Sequence, residues 1–102
     1  MGRSSRPRPS RLGRKLLQIR RAFNLSQEAM VDRLGGIEGL SHSSVSGYEL
    51  GTREPPLQVL LEYAKIANVY LEVLADDSLD LPDKIPSPAK HEGVKRRLTS
   101  HP

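Results

Sequence analysis

The sequence predicts an all-α fold of five short helices, and three observations carry that prediction. Apolar residues recur at helical spacing from Leu12 onward, serine and asparagine stand where helices would start or stop, and no stretch alternates apolar with polar residues as a half-buried strand would. With 102 residues, of which 36% are hydrophobic and 4% aromatic, the chain has room for one small domain packed on Leu, Val, Ile and Ala.

The first helix spans roughly residues 11–23. Ser10 is a candidate N-cap, Leu12, Leu16, Ile19 and Phe23 form one face, and Asn24 tolerates the left-handed turn that ends a helix. Ser26 caps a second helix opening at Gln27, with Glu28 favourably placed in its first turn and Met30, Val31 and Leu34 facing inward. Gly35-Gly36 stops it. After a loop holding Ile37, Glu38, Gly39 and Leu40, Ser41 caps a third helix whose inward positions are Val45 and Tyr48 and which ends near Leu50-Gly51. Pro55-Pro56 opens a strongly apolar fourth helix (Leu57, Leu60, Leu61, Ala64, Ala67) that Asn68 stops, and a short fifth follows over about 70–76.

The flanks read differently. Residues 1–9 alternate Arg and Pro with Ser and Gly, which predicts a flexible basic arm; residues 10–77 form the folded domain; residues 78–102, punctuated by Pro82, Pro86 and Pro88 and closing on Lys95-Arg96-Arg97, predict a disordered tail. Charge follows the same division. Residues 1–21 carry eight basic groups and no acid, residues 22–83 three basic and eleven acidic groups, and residues 84–102 five basic groups against Glu92, for a net +4. Contact with a polyanion therefore falls to the N-terminal stretch and a few local donors, not to the whole surface.

Several function classes are excluded or disfavoured. The absence of cysteine removes disulfides, thiolate metal sites and cysteine nucleophiles. His42, His91 and His101 have no metal-ligand spacing, Ser44-Val45-Ser46-Gly47 lacks the leading glycine of a nucleophile elbow, and Gly35, Gly36 and Gly39 make no dinucleotide fingerprint. The expectation is a non-enzymatic protein without cofactor or metal. No apolar run approaches the roughly 20 residues of a membrane span, which points to a cytoplasmic protein with no membrane partner.

Residues 12–75 resemble the five-helix domain of the lambda-repressor/Cro family, also called the Xre family. Leu12-Gly13, Leu16, Ile19 and Arg20 match its first helix, Leu25-Ser26-Gln27-Glu28 its second, and Ser41, Val45, Ser46, Glu49 and Gly51 its third; Pro55, Leu57, Leu60, Leu61, Ala64, Val69, Leu71 and Leu74 match the last two. The resemblance implies a helix-turn-helix that binds double-stranded DNA, in a bacterial or phage transcription regulator, a repressor in preference to an activator.

Within that frame the third helix is the reader. His42, Ser43, Ser46 and Gly47 are its small or polar non-core positions, free of carboxylates that would oppose phosphate, and are assigned to base readout. Gln27, matching the glutamine that opens the family's second helix, is assigned to phosphate, with Thr52 and Arg53 as further phosphate donors. Arg3, Arg6 and Arg8 are assigned to the minor groove as an arm. The resemblance makes Arg20 and Glu49 a structural ion pair between the first and third helices.

The chain departs from the family pattern in the loop Gly35 to Leu40, about four residues longer than usual, in Gly47 where relatives place a base-reading side chain, and in Pro56 and Tyr70 where they place serine caps. Homodimerisation on two half-sites fits a domain this small, with Val69, Leu71, Val73 and Leu74 either an interface patch or core. The alternative reading is a protein-binding adaptor or antitoxin-type partner on the same fold.

Overall fold

The computed structural model describes residues 9–90. It contains, in chain order, α1 (Leu12–Ala22), α2 (Gln27–Arg33), α3 (His42–Leu50), α4 (Leu57–Ala67) and α5 (Leu71–Ala75). Every regular element of more than one residue among the described residues is a helix, and the all-α fold is the observed one. The predicted arm over residues 1–9 falls outside the described residues except for Pro9.

Core composition follows from helical spacing. Leu12, Leu16 and Ile19 of α1 meet Met30 and Leu34 of the α2 segment, Val45 and Tyr48 of α3, Val59, Tyr63, Ala64 and Ala67 of α4, and Val73 and Leu74 of α5. Helix α1 lies centrally against α3, α4 and α5, while α2 packs on α3. Of the apolar positions on α4, Leu57 and Leu61 lie exposed at 63% and 40%, because the buried face runs through Val59 and Tyr63. Val69, Val73 and Leu74 are buried and Leu71 is packed against the same cluster, so the stretch weighed as an interface patch is core.

Chain reversals occur where the residue types allow them. Asn24 and Asn68 adopt the left-handed conformation at φ 58° and 56°, and Gly35 and Gly36 turn the chain out of α2 at φ 89° and 70°. Ile37 and Leu40 of the long loop are half-buried against the core, which pins it.

Two predictions need correcting. Ser10 does not cap α1: Arg11 holds that position without a side-chain bond, and the Asp77 carboxylate from beyond α5 fills the gap. It accepts from Ser10 N at 2.8 Å, Ser10 Oγ at 3.0 Å and Arg11 N at 3.1 Å. Burial alone would raise the Asp77 carboxyl, but those N–H and O–H donors and the Lys15 charge outweigh it and hold the group below the ordinary carboxylate range.

The second correction concerns the tail. Residues 78–90 are packed, not disordered: Leu79 is fully buried, Leu81 and Ile85 lie against the core, and Arg11 Nη1 donates to the carbonyls of Asp77 (2.6 Å) and Leu79 (3.2 Å) while its other arm pairs with Asp80. Ser87 N donates to Ala67 O at 2.9 Å, and Asn68 Nδ2 to Ser87 O at 2.7 Å, tying the segment to the end of α4. Isolated apolar residues at 79, 81 and 85 have no period, so composition alone misses this anchoring. Residues 91–102 lie outside the described residues.

Candidate nucleic-acid interface

Helices α2 and α3 are each started by a serine. Ser26 Oγ accepts from Ala29 N at 3.0 Å, and Ser41 and Ser44 form a reciprocal capping box. Gly51, at φ 80°, ends α3 in a left-handed turn that a side chain would strain. Val45 and Tyr48 bury the inner face of α3, and its first turn, carrying His42 and Ser43, is exposed. Among the described residues this exposed stretch of α3 bears no carboxylate before Glu49.

Glu49 is neutralised from within. Arg20 Nε donates to its Oε2 at 2.6 Å and Arg20 Nη2 to its Oε1 at 3.0 Å, a two-pronged pair whose side chains are only 16% and 6% exposed. Arg20 Nη1 donates to Leu25 O at 2.9 Å, so one guanidinium joins α1, the start of the α2 segment and α3. The Glu49 hydrogen bonds raise the Arg20 pKa further. Close by, the Tyr63 hydroxyl is buried with no hydrogen-bond partner among the described residues, and burial pushes its pKa up. Helices α1 and α3 also meet at Gly13, where a Cβ would lie 2.7 Å from Glu49 O and 2.8 Å from Tyr48 O.

The residues assigned to DNA divide by position. His42 and Ser43 are exposed on the first turn of α3, and Ser46 is half-buried one turn on. Ser43 Oγ lies 3.0 Å from Ser41 Oγ, which ties it to the cap. Gly47 is not exposed: it is buried beneath Arg53, and a Cβ there would lie 2.6 Å and 2.7 Å from Arg53 Cδ and Cγ. The methylenes of Arg53 roof it, which removes it from direct base readout.

Gln27 Nε2 donates to Glu49 Oε1 at 3.2 Å, so the glutamine opening α2 is oriented by the ion pair and keeps a second amide hydrogen. Thr52 donates twice to Gly47 O, from its backbone N at 2.9 Å and its hydroxyl at 3.4 Å, and thus closes the end of α3. Arg53 runs back along α3 until Nη1 reaches Ser44 Oγ at 3.3 Å. The assigned arm residues Arg3, Arg6 and Arg8 lie outside the described residues.

Sequence reasoning missed Lys15. It stands on the buried face of α1 at 1% exposure, and its Nζ donates to Val73 O at 2.6 Å and Asp76 O at 3.0 Å, closing the C-terminal end of α5. Desolvation lowers its pKa, aided by the Arg11 charge and opposed by Asp77, Asp80 and Asp76. A signal was present: Lys15 sits at i+3 from Leu12 and i+4 before Ile19, inside the apolar stripe. Among the described residues no group of three or more His, Asp or Glu side chains is placed to hold a metal ion, and no helix is long and apolar enough to cross a membrane.

Comparison with known proteins agrees with this geometry. Residues 16–74, more than half of the chain, match the family model described as Helix-turn-helix. The chain is 33% identical over 66 residues to a Bacillus subtilis (strain 168) protein described as the uncharacterized HTH-type transcriptional regulator YobD, an alignment covering 62% of this chain and 55% of that relative. The chain thus spans about half the length of the curated relative it matches. No solved structure matches it significantly. With five helices in the expected order, capped serines at α2 and α3, and the family match running from α1 into α5, the chain belongs to the helix-turn-helix family of the lambda-repressor (Xre) type.

Proposed function

We propose that this chain binds double-stranded DNA by laying α3 into a major groove, as a sequence-specific transcription regulator. The observation that carries the reading is the exposure of His42 and Ser43 on the first turn of a helix whose opposite face is buried through Val45 and Tyr48 and braced by Arg20–Glu49. A reader must be rigid to discriminate bases, and this one is held at its cap, its core face and its C-terminal turn. The family membership and the relative described as a transcriptional regulator support the same reading. Binding is the activity assigned.

Gln27 and Thr52, at the near ends of α2 and α3, are assigned to phosphate, and Arg3, Arg6 and Arg8 to the adjacent minor groove. A domain that occupies a promoter excludes other proteins from it, so repression is the regulatory sign assigned. Two copies on half-sites one helical turn apart, about 34 Å, would provide the length of contact that one small domain lacks. Selection of bound duplexes from a random pool tests these points together. The expected outcome is a motif of two inverted half-sites about 10 base pairs apart. Recovery of the unselected base composition would contradict sequence-specific binding.

A further inference from the structure

Arg53 lies beyond the C-terminus of α3, yet its side chain folds back onto that helix. Its Cγ and Cδ occupy the space that a Cβ at position 47 would fill, at 2.7 and 2.6 Å, and Nη1 donates to Ser44 Oγ at 3.3 Å. Residues 44 and 47 are one turn apart, so the arginine covers a continuous strip of α3 and directs its guanidinium toward the half of the helix that enters the groove. Glycine inside a helix is otherwise unfavourable, and the close approach of Arg53 gives Gly47 its physical reason.

Resting on the DNA-binding reading above, we propose that Arg53, which the sequence assigns to phosphate, instead reads a guanine in the major groove, and that Gly47 is the positioning residue that lets it lie on α3. Arginine carries five N–H donors in a planar fork, and the Ser44 bond uses one of them. The remainder include two adjacent donors, the number that guanine O6 and N7 accept together. A phosphate-bound arginine would have no need to lie over Gly47, because phosphates flank the groove and any extended side chain at position 53 reaches outward.

The test uses the full chain, with duplex selection and fluorescence-anisotropy titration across salt concentrations for Arg53→Ala, Arg53→Lys and Gly47→Ala. All three variants are expected to lose preference for guanine at one and the same base pair, by roughly 5- to 150-fold, with the rest of the motif kept. Gly47→Ala should do so while still unfolding in one cooperative thermal transition, since alanine favours the helix and the added Cβ meets only the Arg53 side chain, through Cδ, Cγ and, at 3.1 Å, Cβ. Placing 7-deazaguanine at that base pair should weaken the wild type and leave Arg53→Ala unaffected. A uniform loss across sequences for Arg53→Ala, with a salt slope shallower by about 0.9 and restored by Arg53→Lys, would make Arg53 a phosphate donor and overturn the proposal. An unchanged motif in Arg53→Ala overturns it equally. A wild-type chain that selects no motif at all fails at the earlier step, the DNA-binding reading, and this inference goes with it.

Discussion

Four buried or half-buried polar side chains differ in what they contribute, and the difference lies in their partners. Arg20 and Glu49 satisfy each other and hold three segments together, Lys15 is spent on two carbonyls at the end of α5, and Tyr63 has an orphan hydroxyl. Removing one member of a satisfied buried pair strands the other. Arg20→Ala and Glu49→Ala should therefore each destabilise the domain by roughly 3–5 kcal/mol, and the double variant by much less than the sum. A urea-denaturation cycle measures this, and plain additivity would contradict the pair's role. Tyr63→Phe runs the other way. It removes a hydroxyl with no hydrogen-bond partner among the described residues, so stability at pH 7 should hold or rise by up to about 1 kcal/mol. The folded-state pKa of Tyr63 lies above its ordinary value of 10.0, so its protonation favours folding fully below pH 10 and is lost as pH rises through the folded pKa. The wild type should then lose stability above pH 10 relative to Tyr63→Phe, and parallel melting curves across that range would contradict the assignment.

At the scale of elements, start and stop signals were legible because they depend on neighbours in sequence. Ser26, Ser41, Asn24, Gly51 and Asn68 each act within three or four residues of their own position, and α2, α3 and α4 begin and end where those residues predict. What failed depends on distant partners. Ser10 reads as a cap in the sequence, but the Asp77 carboxylate arrives from 67 residues away. The segment 78–90 carries no helical period, and Leu79, Leu81, Ile85, Ser87 and the Arg11 fork hold it down. Gly47 reads as a readout position from its small, non-core place on the helix and from the resemblance, and neither says anything of a side chain returning from position 53. The two glycines in helix contacts make different predictions. At Gly13 the obstacle is the backbone of α3, which cannot swing aside, so Gly13→Ala should lower stability by about 1–3 kcal/mol despite the better helix former. Thermal melts compare it with wild type, and an increase in melting temperature would show that α1 and α3 do not approach as closely as described.

For the whole molecule, charge sets the problem that binding must solve. Residues 22–83 carry eight more acidic than basic groups, and the basic groups concentrate in residues 1–21 and 84–102. Some of the N-terminal cations are committed to structure, Arg11 to Asp80 and two carbonyls, Lys15 to α5 and Arg20 to Glu49. Arg14 and Arg21 remain exposed on α1, and with them the arm arginines are the proposed source of attraction to the duplex. Deleting residues 2–9 should weaken binding and flatten the salt dependence by up to roughly 2 to 3 units if Arg3, Arg6 and Arg8 each neutralise a phosphate. Unchanged affinity and slope would return them to a solubilising role. The helical architecture, the exposed first turn of α3 and the Arg20–Glu49 brace behind it are thus legible in residue spacing and in the resemblance, whereas charge commitments and the Arg53 fold-back require three dimensions.

On this reading α3 presents the residues that distinguish bases in the major groove, and the phosphate contact from Gln27 positions it. That division is tested most directly by repeating duplex selection with His42→Ala and Ser43→Ala beside Gln27→Ala. Base-edge contacts specify and phosphate contacts position. The account predicts that the first two substitutions change the preferred bases within a half-site, while Gln27→Ala lowers affinity for every sequence alike and leaves the motif intact. Identical motifs and affinities from all three variants and the wild type would contradict it.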